Sequence, residues 1–151
     1  MHIHENRGLD KSRLQQLIPH AGAMCLLDAV TAWDDFSIVC VTNSHRDPAN
    51  PLRRQGRLTA VHAFEYGAQA AAVHGGLCAE SSGQAASPGY LAAVREARWY
   101  VAELDAVAAP LDITARQLLG DVGHCIYAIQ VSAAGQILAE ARITIVLRGG
   151  P

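Results

Sequence analysis

One segment near the middle of the chain, residues 58–74, constrains the fold more strongly than any other. Read at about 100° per residue, this segment is apolar or small on nearly every side, which is typical of a helix buried inside a domain. The Gly75-Gly76 pair that follows predicts the end of the helix. The one polar stripe on this helix carries His62, Glu65 and Gln69, so candidate chemistry concentrates there.

This polar stripe has two interpretations. If it is buried, the Glu65 carboxylate must be paired or its pKa must rise, which makes the residue a candidate general acid or base. Gln69 stands one helical turn beyond Glu65 and is placed to hold that carboxyl group by a hydrogen bond. If the stripe instead faces water or a partner subunit, its side chains are simply solvated.

Strand patterns occupy most of the remaining sequence. A short helix at residues 10–17 and two strands precede the long helix, and four strands follow it. The predicted strands are residues 24–33, 36–42, 90–104, 111–119, 124–132 and 136–147. Runs of strands around one helix predict an α+β domain with an antiparallel sheet.

The composition excludes several classes of protein. With 50% apolar and 17% charged residues among 151, the chain is too apolar for disorder, and we expect one domain over residues 1–151. Its net charge of −2 gives no basic footprint for nucleic acid. No apolar run approaches the roughly 20 residues of a membrane helix and the N-terminus has no signal core, so we expect a cytoplasmic protein. The four cysteines form no C-x-x-C pair, and we expect no metal site.

Three motifs resemble those of a known family. Residues 18–30 (IPHAGAMCLLDAV) are similar to the L-P-H-R-x-P-x-L-L-x-D-R-V opening of the 3-hydroxyacyl-acyl carrier protein dehydratases. Residues 64–70 (FEYGAQA) resemble the helix motif x-E-x-x-A-Q-A, and residues 97–99 (ARW) resemble the A-R-F of the third strand of that family. The entry to the helix, from residue 56 onward, is most similar to the branch found in aryl-polyene pathways.

The resemblance implies a hotdog fold, in which an antiparallel sheet wraps one long helix. It also implies a dimer with acyl tunnels at the subunit interface, and a substrate carried on the phosphopantetheine of acyl carrier protein, with no other cofactor. Water would be removed from a 3-hydroxyacyl thioester to give the trans-2-enoyl thioester. In such enzymes the helix glutamate, here Glu65, works with a histidine from the loop before the helix, and we expect Gln69 and Arg98 to bind substrate.

The sequence departs from the family pattern in that loop. The G-H-F-P-G motif that carries the family's histidine is absent, since residues 50–59 (NPLRRQGRLT) are shorter and contain no histidine. His62 is the best substitute because residues three apart on a helix are neighbours, which would place it beside Glu65. The alternative is that His62 caps the helix. His20, His45 and His74 are expected to have structural or surface roles.

The same loop contains paired arginines. Arg53 and Arg54 are candidates for docking the acidic surface of acyl carrier protein or the phosphate of its arm, since guanidinium groups bind phosphate and carboxylate well. The alternative is a solvated loop.

We therefore expect a dehydratase-like lyase acting on acyl thioesters in fatty acid or polyketide biosynthesis, as a homodimer or as a heterodimer with a dehydratase paralogue. Two alternatives stay open at this point. One is a hotdog thioesterase, which would release free acid and thiol. The other is a non-catalytic subunit of a dehydratase heterodimer, which the missing loop histidine favours.

Overall fold

The computed structural model describes residues 3–4, 9–18, 24–84, 89–121 and 123–147. Pro19 and His20 of the first motif lie outside the described residues, as do residues 85–88. Short 3-10 turns occupy Ser44–Arg46 and Ala60–His62. The helices and strands are β1 (Ile3–His4), α1 (Lys11–Leu17), β2 (Ala29–Asp34), β3 (Ser37–Thr42), α2 (Ala63–Ser81), β4 (Gly89–Trp99), β5 (Leu111–Gly120), β6 (His124–Ala133) and β7 (Gln136–Leu147).

The strands form one sheet in the order β1-β2-β3-β5-β6-β7-β4, with every neighbouring pair antiparallel. The predicted α+β fold, an antiparallel sheet with one long helix, is confirmed. The β6–β7 hairpin turns at Ala134-Gly135, where both residues have positive φ (49° and 78°), the backbone of a two-residue turn that follows the twist of the strands. Strand β4 forms one edge of the sheet.

Helix α2 packs across one face of the sheet, chiefly over β5 and β6. The small residues along it permit this close approach. Gly67 shows how close, because a Cβ atom there would lie 2.2 Å from Cδ1 of Ile129 on β6. The helix is buried over most of its surface, as its all-round apolar pattern predicts.

The end of α2 corrects the prediction drawn from Gly75-Gly76. The helix continues through both glycines and ends at Ser81. Gly76 serves a contact instead, since a Cβ atom there would lie 3.1 Å from the backbone oxygen of Leu17 at the end of α1. The glycine therefore lets two helices approach each other and does not stop one of them.

Two predicted strands were too long. Residues 24–28 precede β2 without joining it, and their backbone is bound to side chains described below. Residues 100–104 leave β4 and pair with the segment that leads into α2: the backbone of Ala60 donates to Ala102 at 3.0 Å, and that of Leu104 donates to Leu58 at 2.7 Å. Within the described residues, no helix combines the length and apolar character that crossing a membrane requires.

Candidate functional site

A cleft of about 780 Å³ runs along α2 between the helix and the β4 edge of the sheet. The helix wall is made mostly of small residues, among them Ala68, Ala71 and Ala72. The opposite wall comes from β4, β6 and β7, with Leu91, Tyr127 and Ile145 as examples. The small side chains leave the space that larger ones would fill.

Glu65 is the carboxylate on α2 that lines this cleft. It is half-buried and lies in the first turn of the helix. The side-chain amide of Gln69 lies 3.5 Å from its Oε1 atom, one turn along the helix. A half-buried carboxyl group at a cleft of small residues has the surroundings that general acid–base chemistry uses.

Gln69 is fully buried and ties α2 to the segment before β2. Its Oε1 atom accepts from the backbone N–H of Leu26 at 2.9 Å, and its Nε2 atom donates to the backbone oxygen of Met24 at 2.7 Å. This part of the polar stripe is thus turned into the protein and is not solvated. The structure brings Glu65 and Gln69 together, as the sequence predicts.

His62 is placed differently from its predicted position beside Glu65 in a continuous helix. It belongs to the 3-10 turn before α2, so a spacing of about 100° per residue does not apply to it. Its Nδ1 atom accepts from the backbone N–H of Thr59 at 3.1 Å, in a capping box. His62 is not among the residues that line the cleft, and its observed contact is the capping alternative.

The loop arginines separate into two environments. The Arg53 guanidinium donates to three backbone carbonyls, at 2.9, 2.7 and 3.1 Å, and lies 3.9 Å from the Asp105 carboxylate. Its side chain is only 14% exposed, so it holds the loop together and is not offered to a docking partner. Arg54 is exposed. Arg98 is exposed on β4, opposite Glu140, and does not line the cleft.

Sequence reasoning missed a polar network in the cleft wall. His74, on α2, is buried, with Nδ1 at 2.7 Å from the Tyr127 hydroxyl and Nε2 at 2.9 Å from the backbone oxygen of Asp34. Burial lowers the pKa of His74 and raises that of Tyr127. Burial also raises the pKa of the neighbouring Cys78 thiol to about 11, which leaves it unreactive at neutral pH.

A second buried network braces the loop between β3 and α2. The Tyr66 hydroxyl lies 2.8 Å from the Ser44 hydroxyl and 3.1 Å from the Asn50 amide. Ser44 in turn donates to the backbone oxygen of Leu26 at 2.6 Å. His45 is fully buried beside this network and its Nε2 atom lies 3.0 Å from the backbone oxygen of Val107, away from the cleft.

Solved structures place this architecture among known proteins. The chain is similar to a chain of the dehydratase heterocomplex ApeI:P from Xenorhabdus doucetiae, with 27% identity, a TM-score of 0.82, and 90% of this chain and 91% of that chain covered. Thioesterase HI1161 from Haemophilus influenzae matches at 12% identity and a TM-score of 0.65, with 92% and 90% covered. A thioesterase from Pseudomonas aeruginosa matches at 16% identity and a TM-score of 0.62, with 92% and 94% covered. The two thioesterases share the hotdog fold with this chain.

Sequence comparison gives the family. No curated protein matches the chain. The family described as ApeP-like, ApeP dehydratase, matches residues 12–148, which is most of the chain. That span includes all three motifs that resemble the dehydratases, and the resemblance is confirmed. The chain belongs to the ApeP-like dehydratase family and has a dehydratase-like function on a hotdog fold.

Proposed function

We propose that this protein takes part in removing water from 3-hydroxyacyl thioesters carried on acyl carrier protein, in a fatty acid or aryl-polyene type of pathway. The observation that carries the proposal is Glu65, a half-buried carboxyl group at the small-residue cleft of an ApeP-like dehydratase. From Glu65 to Cys78 the cleft follows thirteen residues of α2, or about 20 Å of helix. An extended acyl chain fits along that path.

The elimination needs two proton transfers. A base takes the proton from C2, the C2–C3 double bond forms, and the C3 hydroxyl leaves as water after it receives a proton. In this proposal the Glu65 carboxyl group performs one of these transfers. A second group, either His62, a water molecule or a histidine of another subunit, performs the other.

We favour a second subunit as the source of that group. The loop of residues 50–59 lacks the family's histidine, and His45, just before it, is bound to the backbone of Val107. The similar chain from Xenorhabdus doucetiae belongs to a dehydratase heterocomplex. A paralogous subunit that keeps its loop histidine would complete a site with Glu65.

The edge of the sheet offers a place for that subunit. The outer edge of β4 has no neighbouring strand among the described residues. Val94 and Trp99 on this strand are 38% and 53% exposed, and they pair with the inward-facing Ile143 and Ala139 of β7. An exposed strand edge with apolar side chains is a surface that proteins cover with a partner.

The test is turnover by the protein purified together with its dehydratase paralogue. With 3-hydroxyacyl-acyl carrier protein as substrate, Glu65→Gln should lower the rate of enoyl formation by roughly 10²–10⁴, the range for removing a general acid or base. Glu80→Gln is the matched control, because Glu80 lies on the same helix, pairs with Arg13 and does not line the cleft. Equal rates for the two variants would refute the role of Glu65.

Two further readouts separate the alternatives. Release of free thiol without an enoyl product would identify a thioesterase. Full activity of the paralogue alone, unchanged when this protein is added, would remove the requirement for a second subunit.

A further inference from the structure

The outer face of the sheet, opposite α2, carries a line of arginines from three strands, here called the arginine row: Arg116 on β5, Arg142 on β7 and Arg95 on β4. The strand registers align them. Arg116 is opposite Ala128 of β6, Ala128 is opposite Arg142, and Arg142 is opposite Arg95. All three arginines are exposed, and Arg98 follows in the next row, opposite Glu140.

Strand spacing sets the dimensions of this surface. Neighbouring strands lie about 4.8 Å apart, so the row spans about 14 Å from Arg95 to Arg116. Ala128 leaves a gap in the row, and a shallow depression of about 390 Å³ lies there between Arg116 and Arg142. The surface is broad and shallow, which suits another protein better than a small molecule.

The positive charge of the row is only partly balanced. Arg142 lies 3.5 Å from the Glu96 carboxylate, and the Glu140 carboxylate accepts from the Tyr100 hydroxyl at 3.0 Å. In the described part of the chain Arg95 and Arg116 form no ion pair. Like charges directly opposite each other on a sheet are destabilising, as Arg142 and Arg95 are here. A chain with a net charge of −2 thus concentrates positive charge on one face at a cost in stability.

We infer that the arginine row docks an acidic helix of the acyl carrier protein. Carboxylates on successive turns of a helix are about 5.4 Å apart, and long arginine side chains reach them from positions about 4.8 and 14 Å apart. Pairing of β4 with another strand uses backbone groups in the plane of the sheet, so this face stays open in a dimer. The identification of the partner rests on the proposed function.

The row also replaces the dock that the sequence predicts. Arg53 is turned inward to backbone carbonyls, and only Arg54 of that pair is exposed. The two surfaces are therefore competing sites that separate variants can distinguish.

The experiment measures binding of fluorescently labelled holo-acyl carrier protein to the full-length protein by anisotropy at low and high salt. The variant with Arg95→Gln, Arg116→Gln and Arg142→Gln together should bind roughly tenfold more weakly and lose most of its salt dependence. Arg54→Glu should bind within about twofold of wild type if the row is the dock. Circular dichroism melts confirm folding, and the three single glutamine variants replace the triple variant if it unfolds.

Three outcomes overturn the inference: unchanged binding by the row variants, loss confined to Arg54→Glu, or no binding of the wild-type protein at low salt. Wild-type turnover of a carrier-free pantetheine thioester, measured in parallel with the paralogue present, tests the proposed function separately. Turnover without docking on the row would reject only this inference. Absence of turnover would reject the proposed function, and the anisotropy result would still decide where an acidic protein docks.

Discussion

The hydroxyl of Tyr127 on β6 lies 2.7 Å from Nδ1 of His74 on α2, and this contact fixes the state of the imidazole. The Nε2 atom of His74 faces a backbone oxygen, that of Asp34, and must donate to it. In the neutral ring Nδ1 is then the acceptor and Tyr127 the donor. Burial favours this neutral form because it lowers the pKa of His74. Both ring nitrogens are occupied, so His74 holds the cleft wall in place.

The first prediction concerns this contact. Tyr127→Phe removes the donor and leaves the buried Nδ1 atom of His74 without a partner, which should lower the free energy of unfolding by about 1–3 kcal/mol. Urea denaturation measures the change. Tyr100→Phe, at an exposed tyrosine that donates to Glu140, should change stability by less than about 0.5 kcal/mol. Equal effects of the two substitutions would show that the His74 contact contributes nothing beyond a surface hydrogen bond.

The second prediction is a loss of stability in mild acid. Burial lowers the pKa of both His45 and His74 below the usual value of 6.5. The unfolded chain therefore binds more protons than the folded chain, and stability rises with pH in this range. The contribution of these histidines is fully present above pH 6.5 and is lost as the pH falls through the folded-state pKa values. Each group adds a slope of at most about 1.4 kcal/mol per pH unit.

Urea unfolding at several pH values between 5 and 8 checks this dependence. His74→Gln should flatten the curve while lowering stability at neutral pH, because glutamine keeps polar atoms but does not titrate. A curve for wild type that is flat from pH 7 to 5 would contradict the assignment of neutral, buried histidines.

The third prediction separates capping from catalysis at His62. Loss of the cap in His62→Ala should cost about 1 kcal/mol of stability. Glutamine is a usual partner in a capping box, so His62→Gln should keep both the cap and the rate of enoyl formation. If His62→Gln is fully stable but inactive, the histidine is needed for proton transfer and the capping role alone is insufficient.

The fourth prediction uses two glycines of α2 as a matched pair. At Gly67 a Cβ atom would lie 2.2 Å from Cδ1 of Ile129, so Gly67→Ala should destabilise by about 1–3 kcal/mol through overpacking. At Gly75 a Cβ atom would meet nothing within 4 Å, so Gly75→Ala should stabilise the helix by about 0.5–1 kcal/mol. Thermal melts of both variants check the opposite signs. Stabilisation by Gly67→Ala would show that α2 lies farther from β6 than the structure places it.

Local periodicity predicts much of this fold. The all-round small and apolar pattern of residues 58–74 predicts the buried helix, and alternation predicts the strands of the sheet. The same pattern makes Glu65 and Gln69 conspicuous as polar residues on a buried element, and both do lie at or behind the cleft wall.

What periodicity misses are long-range contacts and changes of helix type. His74 and Tyr127 are 53 positions apart, and nothing local links them. Gly76 is taken for a helix stop because its contact with Leu17 is invisible in sequence. The position of His62 follows from a 3-10 turn that a single helical period does not describe, and the inward turn of Arg53 follows from the path of its loop.

The irregular register of β4 has a consequence for solubility. Its pairing with β7 shifts between Leu91 and Ala93 and again between Arg95 and Arg98, so no stretch longer than three residues keeps one register. Bulges of this kind bend a strand and interrupt its row of backbone donors and acceptors. An edge built in this way is a poor template for the open-ended strand addition that leads to fibrils. Only a neighbour whose strand follows the same two bends can extend this sheet, so the edge selects its partner by shape.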